Sequence, residues 1–234
     1  MDTDYTGCTN RRRWLWLLVP LAAAILVLPW DGQLARLGES LGGRMRGDLR
    51  REIHFIQQYG AITSAVLIGL VILRLDPARK ARVADMALAL AATSIAALLL
   101  KIGFGRPRPK FDDPFGFVSV FGDYPVLADG GTRFSWQIGQ KDVAQLWSMP
   151  SSHTSAAFAL STVLYCLYPR LGLIVWPVAV IVGAARWLTE SHYISDIFVG
   201  ATLGILVSGI IMQRRVISRR LDRRTLSTPA PQGR

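Results

Sequence analysis

Three short clusters of polar residues interrupt an otherwise apolar chain, and their residue types suit phosphate chemistry. The first, residues 101–109, contains one lysine and two arginines. The second, residues 150–153, reads Pro-Ser-Ser-His, and the third holds Arg186, His192 and Asp196. Cations attract a phosphate dianion, and a histidine with a carboxylate partner can attack phosphorus as a nucleophile.

Each cluster also has an ordinary structural explanation. Lys101 and the arginines after it can snorkel from a helix end. Ser151 or Ser152 can cap a following helix, although free N–H groups at a helix start also bind anions. His192 and Asp196 lie one helical turn apart, where a local polar contact is common. The arrangement of the helices that carry the clusters distinguishes between these explanations.

The composition is typical of a membrane protein. Of 234 residues, 51% are hydrophobic and 18% charged, whereas soluble domains have about 25% charged residues. Such hydrophobicity also excludes a disordered chain. Two cysteines are too few for a disulfide framework or a cysteine-rich metal site.

Six apolar runs are long enough, or nearly so, to cross a bilayer. They are residues 14–30, 59–75, 83–104, 153–168, 171–188 and 194–212. The first follows Arg11–Arg13, as a signal peptide does, but it ends in Pro-Trp-Asp, a poor cleavage site, so we expect a retained anchor. The third, fourth and sixth are rich in small residues, which favours positions inside the bundle.

These runs predict an all-α, polytopic membrane protein with about six transmembrane helices in one bundle. The whole chain, 1–234, forms one domain with a motif-bearing core at about 83–213 and a basic tail at 214–234. Between the first two spans, apolar residues recur every three or four positions, which predicts an interfacial amphipathic helix bent at Gly42-Gly43. Residues 105–152 form the long outer loop.

The basic residues indicate the orientation. Arg11–Arg13, the 74–82 loop and the arginine-rich tail lie on one side of the predicted bundle, so both termini are expected in the cytoplasm and the protein in the plasma (inner) membrane. The net charge of +11 does not indicate nucleic acid binding, because it is concentrated beside membrane spans, where it suits lipid headgroups. The sequence does not indicate an oligomeric state.

This topology brings the three clusters together. The third span ends outside at Lys101, the fourth starts outside at His153, the fifth ends outside near Arg186, and the sixth starts outside at His192 and Asp196. Ionisable groups that converge at span ends indicate a functional site. The group combines cations, a helix start, two histidines and a carboxylate, without an acidic cluster suited to Mg²⁺ or Zn²⁺. We therefore expect no metal and no cofactor.

The three motifs resemble those of the type 2 phosphatidic acid phosphatases, a family related to the vanadium haloperoxidases. The family pattern is K-x6-R-P, then P-S-G-H, then S-R-x5-H-x3-D. This chain has Lys101-x6-Arg108-Pro109, then residues 150–153, then Ala185-Arg186-x5-His192-x3-Asp196. Ser152 replaces a glycine and Ala185 a serine, and neither change removes a reacting group.

The resemblance implies a role for each matched residue. Lys101, Arg108 and Arg186 bind the phosphate oxygens, and Ser151 with nearby amides, including that of Ser152, adds hydrogen bonds. His192 attacks phosphorus and becomes phosphohistidine, while Asp196 orients His192. His153 protonates the leaving alkoxide. The partners implied are a membrane lipid phosphate and the bilayer.

The sequence is compatible with several functions. The favoured one is dephosphorylation of a lipid phosphate at the extracytoplasmic face. A phosphotransferase would use the same phosphoenzyme, and a non-enzymatic or transporter-like membrane protein is a further alternative. Transporters more often carry ionisable groups near mid-span or matched broken helices. The possible substrates are phosphatidate, phosphatidylglycerophosphate, an isoprenoid diphosphate and lipid A-type phosphates.

Overall fold

The computed structural model describes residues 18–126 and 130–221 of the chain. This part is mostly helical, as predicted. Its α-helices are α1 (Leu18–Val27), α2 (Asp31–Arg44), α3 (Gly47–Ile56), α4 (Ile62–Leu75), α5 (Lys80–Phe104), α6 (Ser152–Leu167), α7 (Gly172–Leu188) and α8 (Ile194–Arg214). A small antiparallel hairpin, β1 (Asp123–Pro125) and β2 (Thr132–Phe134), lies in the loop between α5 and α6.

All six predicted apolar runs contain helices, but fewer qualify as spans by length and composition. Among the described residues, Pro77–Phe111, Pro169–Leu188 and Ile194–Leu221 are long and apolar enough to cross a membrane. Gly47–Gly60 with Ile62–Leu75, bent by 60°, makes a fourth if counted as one span. Helix α6 has 16 residues, which is slightly short for a span, and the start of the first run lies outside the described residues.

Helix α6 lies at the centre of the bundle and packs against α5, α7 and α8. Glycines of α8 let the two backbones approach closely: a Cβ at Gly204 would lie 2.3 Å from the Ser155 carbonyl oxygen. This agrees with the inside position expected for the small-residue runs. On the periphery, Ile62 of α4 is 80% exposed and Leu173 of α7 is 90% exposed, as suits side chains that face lipid.

The amphipathic segment forms two helices, and the predicted bend at Gly42-Gly43 is wrong. Helix α2 continues through both glycines to Arg44, and the helical structure is interrupted at residues 45–46, before α3 begins. Gly42 instead permits a close contact, because a Cβ there would lie 2.1 Å from the Leu188 carbonyl oxygen. The glycine therefore lets α2 pack against the end of α7.

The end of the bundle where α5 begins is held together by a buried carboxylate. Asp85 of α5 accepts hydrogen bonds from the backbone N–H groups of Ile217 (2.7 Å) and Ser218 (3.2 Å). Arg82 donates to Asp85 (3.1 Å) and to the Met212 carbonyl (2.8 Å). These bonds anchor the start of the predicted basic tail, whose residues after 221 lie outside the described part.

At the opposite end, α5 stops at Gly105, whose φ of +58° is the left-handed conformation that ends a helix. The long loop then folds back over this end. The Ser135 hydroxyl lies 2.7 Å from the Ile102 carbonyl oxygen and 2.9 Å from that of Ser119. The loop is thus bonded to the helix end that carries Lys101.

Candidate active site

His192 lies in the turn between α7 and α8 and is buried. Its Nδ1 is 2.7 Å from the Ser148 carbonyl oxygen. Because a carbonyl only accepts, Nδ1 carries the hydrogen and Nε2 keeps its lone pair. Burial lowers the pKa of His192 to about 3, with the charges of Lys101 and Arg186 adding to the effect and Asp196 opposing it. The ring is therefore neutral at physiological pH, as a nucleophile requires.

Asp196, in the first turn of α8, is fully buried. The direct hydrogen bond to His192 that the sequence suggested is absent. Its Oδ2 lies 3.8 Å from His192 Nδ1. That oxygen accepts instead from the Ser148 hydroxyl (2.6 Å) and from the Tyr193 backbone N–H (2.9 Å). Asp196 thus holds Ser148, whose carbonyl holds His192, so its effect on the ring's orientation is indirect.

The three predicted phosphate-binding cations reach the site from three elements. Lys101, in the last turn of α5, is buried and donates to the Trp147 carbonyl oxygen. Arg108, just after α5, donates from Nε to the Ala144 carbonyl (3.1 Å). Arg186 is in the last turn of α7.

Electrostatic interactions show that these side chains share one site. Lys101 interacts with Arg108 and Arg186. His153 interacts with all three cations, and His192 with two of them. Three positive charges so close together repel each other, and a bound dianion would relieve that repulsion.

Arg186 has a donor available for such an anion. Its Nη1 donates to the Gln57 side-chain oxygen over 2.6 Å. Its Nε is buried and finds no hydrogen-bond partner within the described residues. Gln57 is itself buried, and its Nε2 is fixed by the Ile53 carbonyl oxygen (3.1 Å). Gln57 therefore orients the guanidinium while leaving Nε unbonded.

The start of α6 supplies the second histidine and the two serines. Ser152 is the first residue of α6 and is exposed, and His153 is half-buried. The Ser151 hydroxyl is buried and accepts from the Thr154 hydroxyl (2.9 Å), while its N–H donates to the Asp196 carbonyl (3.1 Å). The Ser151 amide is thus already bonded, which leaves the N–H groups of the first turn, from residue 152 onward, for an anion.

Several residues of the site were not predicted. Arg106, Ser148 and Gln57 contact predicted site residues, and Asp31 contacts Arg106. The sequence offered partial signals for two of them, because Arg106 stands in the Arg-Pro-Arg-Pro repeat and Asp31 directly follows the first apolar run. Within residues 18–126 and 130–221, no group of three or more histidine, cysteine or acidic residues is arranged to hold a metal ion.

Comparison with known proteins shows the family of the chain. A model of the PAP2 superfamily matches residues 82–220, which include every predicted site residue. No curated protein sequence shows a significant match.

Two solved structures share the fold. One is the first transmembrane PAP2-type phosphatidylglycerolphosphate phosphatase from Bacillus subtilis, with a TM-score of 0.58 and 20% identity over 87% of this chain and 94% of that one. The other is LpxE from Aquifex aeolicus, with a TM-score of 0.50 and 22% identity over 76% of this chain and 93% of that one.

Proposed function

The chain belongs to the PAP2 superfamily, and on that premise we propose that it hydrolyses a membrane lipid phosphate at the extracytoplasmic face through a phosphohistidine. The family match confirms the resemblance predicted from the three motifs and the assignment as a membrane phosphatase. The observation that carries the proposed mechanism is the hydrogen bond from His192 Nδ1 to the Ser148 carbonyl oxygen, which leaves Nε2 with its lone pair close to Lys101 and Arg186.

In the first step, His192 Nε2 attacks phosphorus and the bond from phosphorus to the lipid oxygen breaks. The charges of Arg186, Lys101 and Arg108 disfavour a protonated His153, and a bound phosphate dianion offsets these charges. His153 is therefore protonated in the substrate complex and gives its proton to the departing alkoxide. The cations Lys101, Arg108 and Arg186 neutralise the charge that develops on the phosphoryl oxygens. In the second step, water attacks the phosphohistidine, the N–P bond breaks, and inorganic phosphate leaves. His153 then accepts the proton of that water, so the cycle closes without another reactant.

A groove on the side of the bundle supports a lipid substrate. Helices α4 and α5 line an apolar groove of about 600 Å³ that runs from Leu73 to Tyr59 and Gly60. Gly60 abuts the start of α6, since a Cβ there would lie 2.4 Å from the His153 carbonyl oxygen. An acyl chain in this groove would place its phosphate near His153 while its tail stays in the bilayer.

The outer location of the site follows from the basic residues of the tail and of the 74–82 loop. A cysteine placed at Gln140 should react with a maleimide that cannot cross membranes, and one at Thr225 should react only after lysis. The unsubstituted chain, with Cys8 and Cys166, gives the background. The reverse pattern of labelling in intact cells would place the site in the cytoplasm.

The function is tested with purified protein in nanodiscs and a panel of phosphatidate, phosphatidylglycerophosphate, isoprenoid diphosphate and lipid A-type phosphates. We expect phosphate release from at least one lipid and, on acid-free quenching, a phosphoenzyme that is stable in alkali. His192→Ala should abolish both. His54→Ala is the matched control, because His54 is exposed on α3. A His192→Ala variant that still forms phosphoenzyme would refute the mechanism, and phosphate recovered mainly on an added lipid alcohol would assign a phosphotransferase.

A further inference from the structure

Arg106 lies next to the proposed catalytic residues but is fully occupied by protein groups. It is completely buried, and its Nε and Nη2 donate to the Pro114 carbonyl oxygen (3.0 and 2.6 Å). Nη1 donates to the Ser195 hydroxyl (2.8 Å) and to Asp196 Oδ1 (2.5 Å), and Nη2 also donates to Asp31 Oδ2 (2.8 Å). All five N–H groups therefore have acceptors, and none is left for a phosphate.

Aromatic rings close the remaining sides of the guanidinium. Its Cζ lies 4.2 Å from the ring centroid of Tyr193 and 4.9 Å from that of Phe117. An arginine that is fully buried and bonded through all its N–H groups acts as a fixed positive charge. Its position is set by the helix that follows the first apolar run, by α8 and by the outer loop together.

The fixed charge acts on the carboxylate nearest to His192. Asp196 Oδ2 lies 3.8 Å from His192 Nδ1, and an uncompensated carboxylate at that distance favours a protonated imidazole. The other charged groups that act on His192 are Lys101 and Arg186, which favour the neutral ring. Arg108 acts on Asp196 from a greater distance than Arg106, and Asp31 competes for the same guanidinium.

We propose that Arg106 is a positioning residue whose charge compensates Asp196, so that His192 stays neutral with its Nε2 free to attack. Asp31 completes the network by accepting a hydrogen bond from the Arg106 guanidinium. It also accepts one from the Ser195 backbone N–H (3.1 Å). This inference rests on the proposed role of His192 as nucleophile.

The chain offers a direct measurement because it has only three histidines, His54, His153 and His192. Their ring carbons can be followed by NMR in ¹³C-histidine-labelled protein without substrate. In the wild type, His192 should stay neutral down to about pH 4. In Arg106→Gln its titration should move up by about 1–3 pH units, the range for loss of one close opposite charge beside a carboxylate.

Two further variants separate charge compensation from general loosening of the site. Arg106→Lys keeps the charge and should leave the His192 titration near that of the wild type. Asp31→Asn removes a carboxylate and should not raise the pH at which His192 titrates. Water entering a loosened site would instead raise that pH in both Arg106→Gln and Asp31→Asn. If Arg106→Gln does not fold, the Arg106→Gln/Asp31→Asn double variant removes one charge of each sign and should show the same upward shift.

A matched control and a kinetic readout complete the test. Arg82→Gln removes a buried arginine bonded to Asp85 at the other end of the bundle, and it should leave the His192 titration unchanged. In Arg106→Gln, kcat should fall about 10–100-fold, as for loss of an orienting partner, with KM within about threefold because Arg106 does not touch phosphate.

An unshifted His192 titration in Arg106→Gln, or an equal upward shift in Asp31→Asn, would overturn the inference. The titration needs no turnover, so its result is separate from the phosphoenzyme assay. An expected titration without wild-type phosphoenzyme would leave the charge compensation standing and refute only the proposed function.

Discussion

His192 and Ser148 are joined by a hydrogen bond of 2.7 Å from the imidazole Nδ1 to the backbone carbonyl oxygen. The carboxylate predicted to hold the ring, Asp196, lies 3.8 Å away and bonds to the Ser148 hydroxyl instead. A carbonyl fixes the tautomer of an imidazole as a carboxylate does, but it carries no charge that would stabilise the protonated ring. The site therefore orients the proposed nucleophile without making it a stronger base.

Ser148→Ala tests this indirect connection. The variant loses the hydroxyl bond to Asp196 but keeps the carbonyl that accepts from His192. Because a hydrogen bond to a charged group contributes about 1.5–3 kcal/mol, we expect kcat to fall about 10–100-fold. Ser64→Ala is the control, since Ser64 is a half-buried serine of α4 whose hydroxyl donates to the Gln58 carbonyl oxygen. Equal kcat values in the two variants would show that the position of Ser148 does not depend on Asp196.

The assignment of His153 as the acid predicts a dependence on the leaving group. General acid catalysis contributes about 10²–10⁴-fold when the leaving group is a poor one. His153→Ala should therefore lose most of its activity on a lipid phosphate but much less on p-nitrophenyl phosphate. His192→Ala should lose activity on both, and Asp196→Asn should fall in between. Equal fractional losses of His153→Ala on the two substrates would leave His153 only a phosphate ligand.

Gln57 should control phosphate affinity through Arg186. Gln57→Leu removes the acceptor that holds Nη1, so the guanidinium is free to turn away from the phosphate. We expect KM to rise about tenfold, the effect of one hydrogen bond to a charged group, with a smaller change in kcat. Gln58→Leu changes the neighbouring, exposed glutamine and should match the wild type in steady-state kinetics. An unchanged KM in Gln57→Leu would show that Arg186 is positioned without Gln57.

Vanadate and chelators test how the phosphate is stabilised. Lys101, Arg108 and Arg186 supply positive charge directly, so phosphate release should persist in EDTA. Vanadate, which adopts the five-coordinate geometry of the transferred phosphorus, should inhibit competitively with the lipid. Arg186→Gln should weaken vanadate inhibition together with substrate binding. A loss of activity in EDTA that added Mg²⁺ restores would contradict this prediction.

The sequence predicted a common site for the polar clusters because their order and spacing are local signals. Lys101, His153, Arg186 and His192 fall at the ends of apolar runs that hydropathy identifies, and alternating spans place these ends on one side. The fold brings their side chains close enough to interact electrostatically. The prediction of a bend at Gly42-Gly43 was wrong because a glycine can permit a close contact as well as a kink. Only the position of Leu188 shows that Gly42 permits a contact.

The contacts that support the site could not be predicted from local sequence signals. Ser148 acts on His192 through a backbone carbonyl, which every residue has. Asp31 and Arg106 are 75 positions apart in the chain and meet only when α2 packs beside α8. Arg106 and Arg108 share one Arg-Pro repeat, yet Arg106 is bound between Asp31 and Asp196 while Arg108 interacts electrostatically with Lys101 and His153. Spacing alone does not separate their roles.

The buried carboxylate at the end of the bundle where α5 begins also sets a limit for shortening the chain. Asp85 receives the N–H groups of Ile217 and Ser218, which lie beyond the last residue of α8. A version that stops at Arg214 keeps every apolar run and every site residue, but it leaves a buried carboxylate without these donors. Engineered versions for display or crystallisation should therefore retain the chain through Ser218, even where the purpose is only to remove the basic tail.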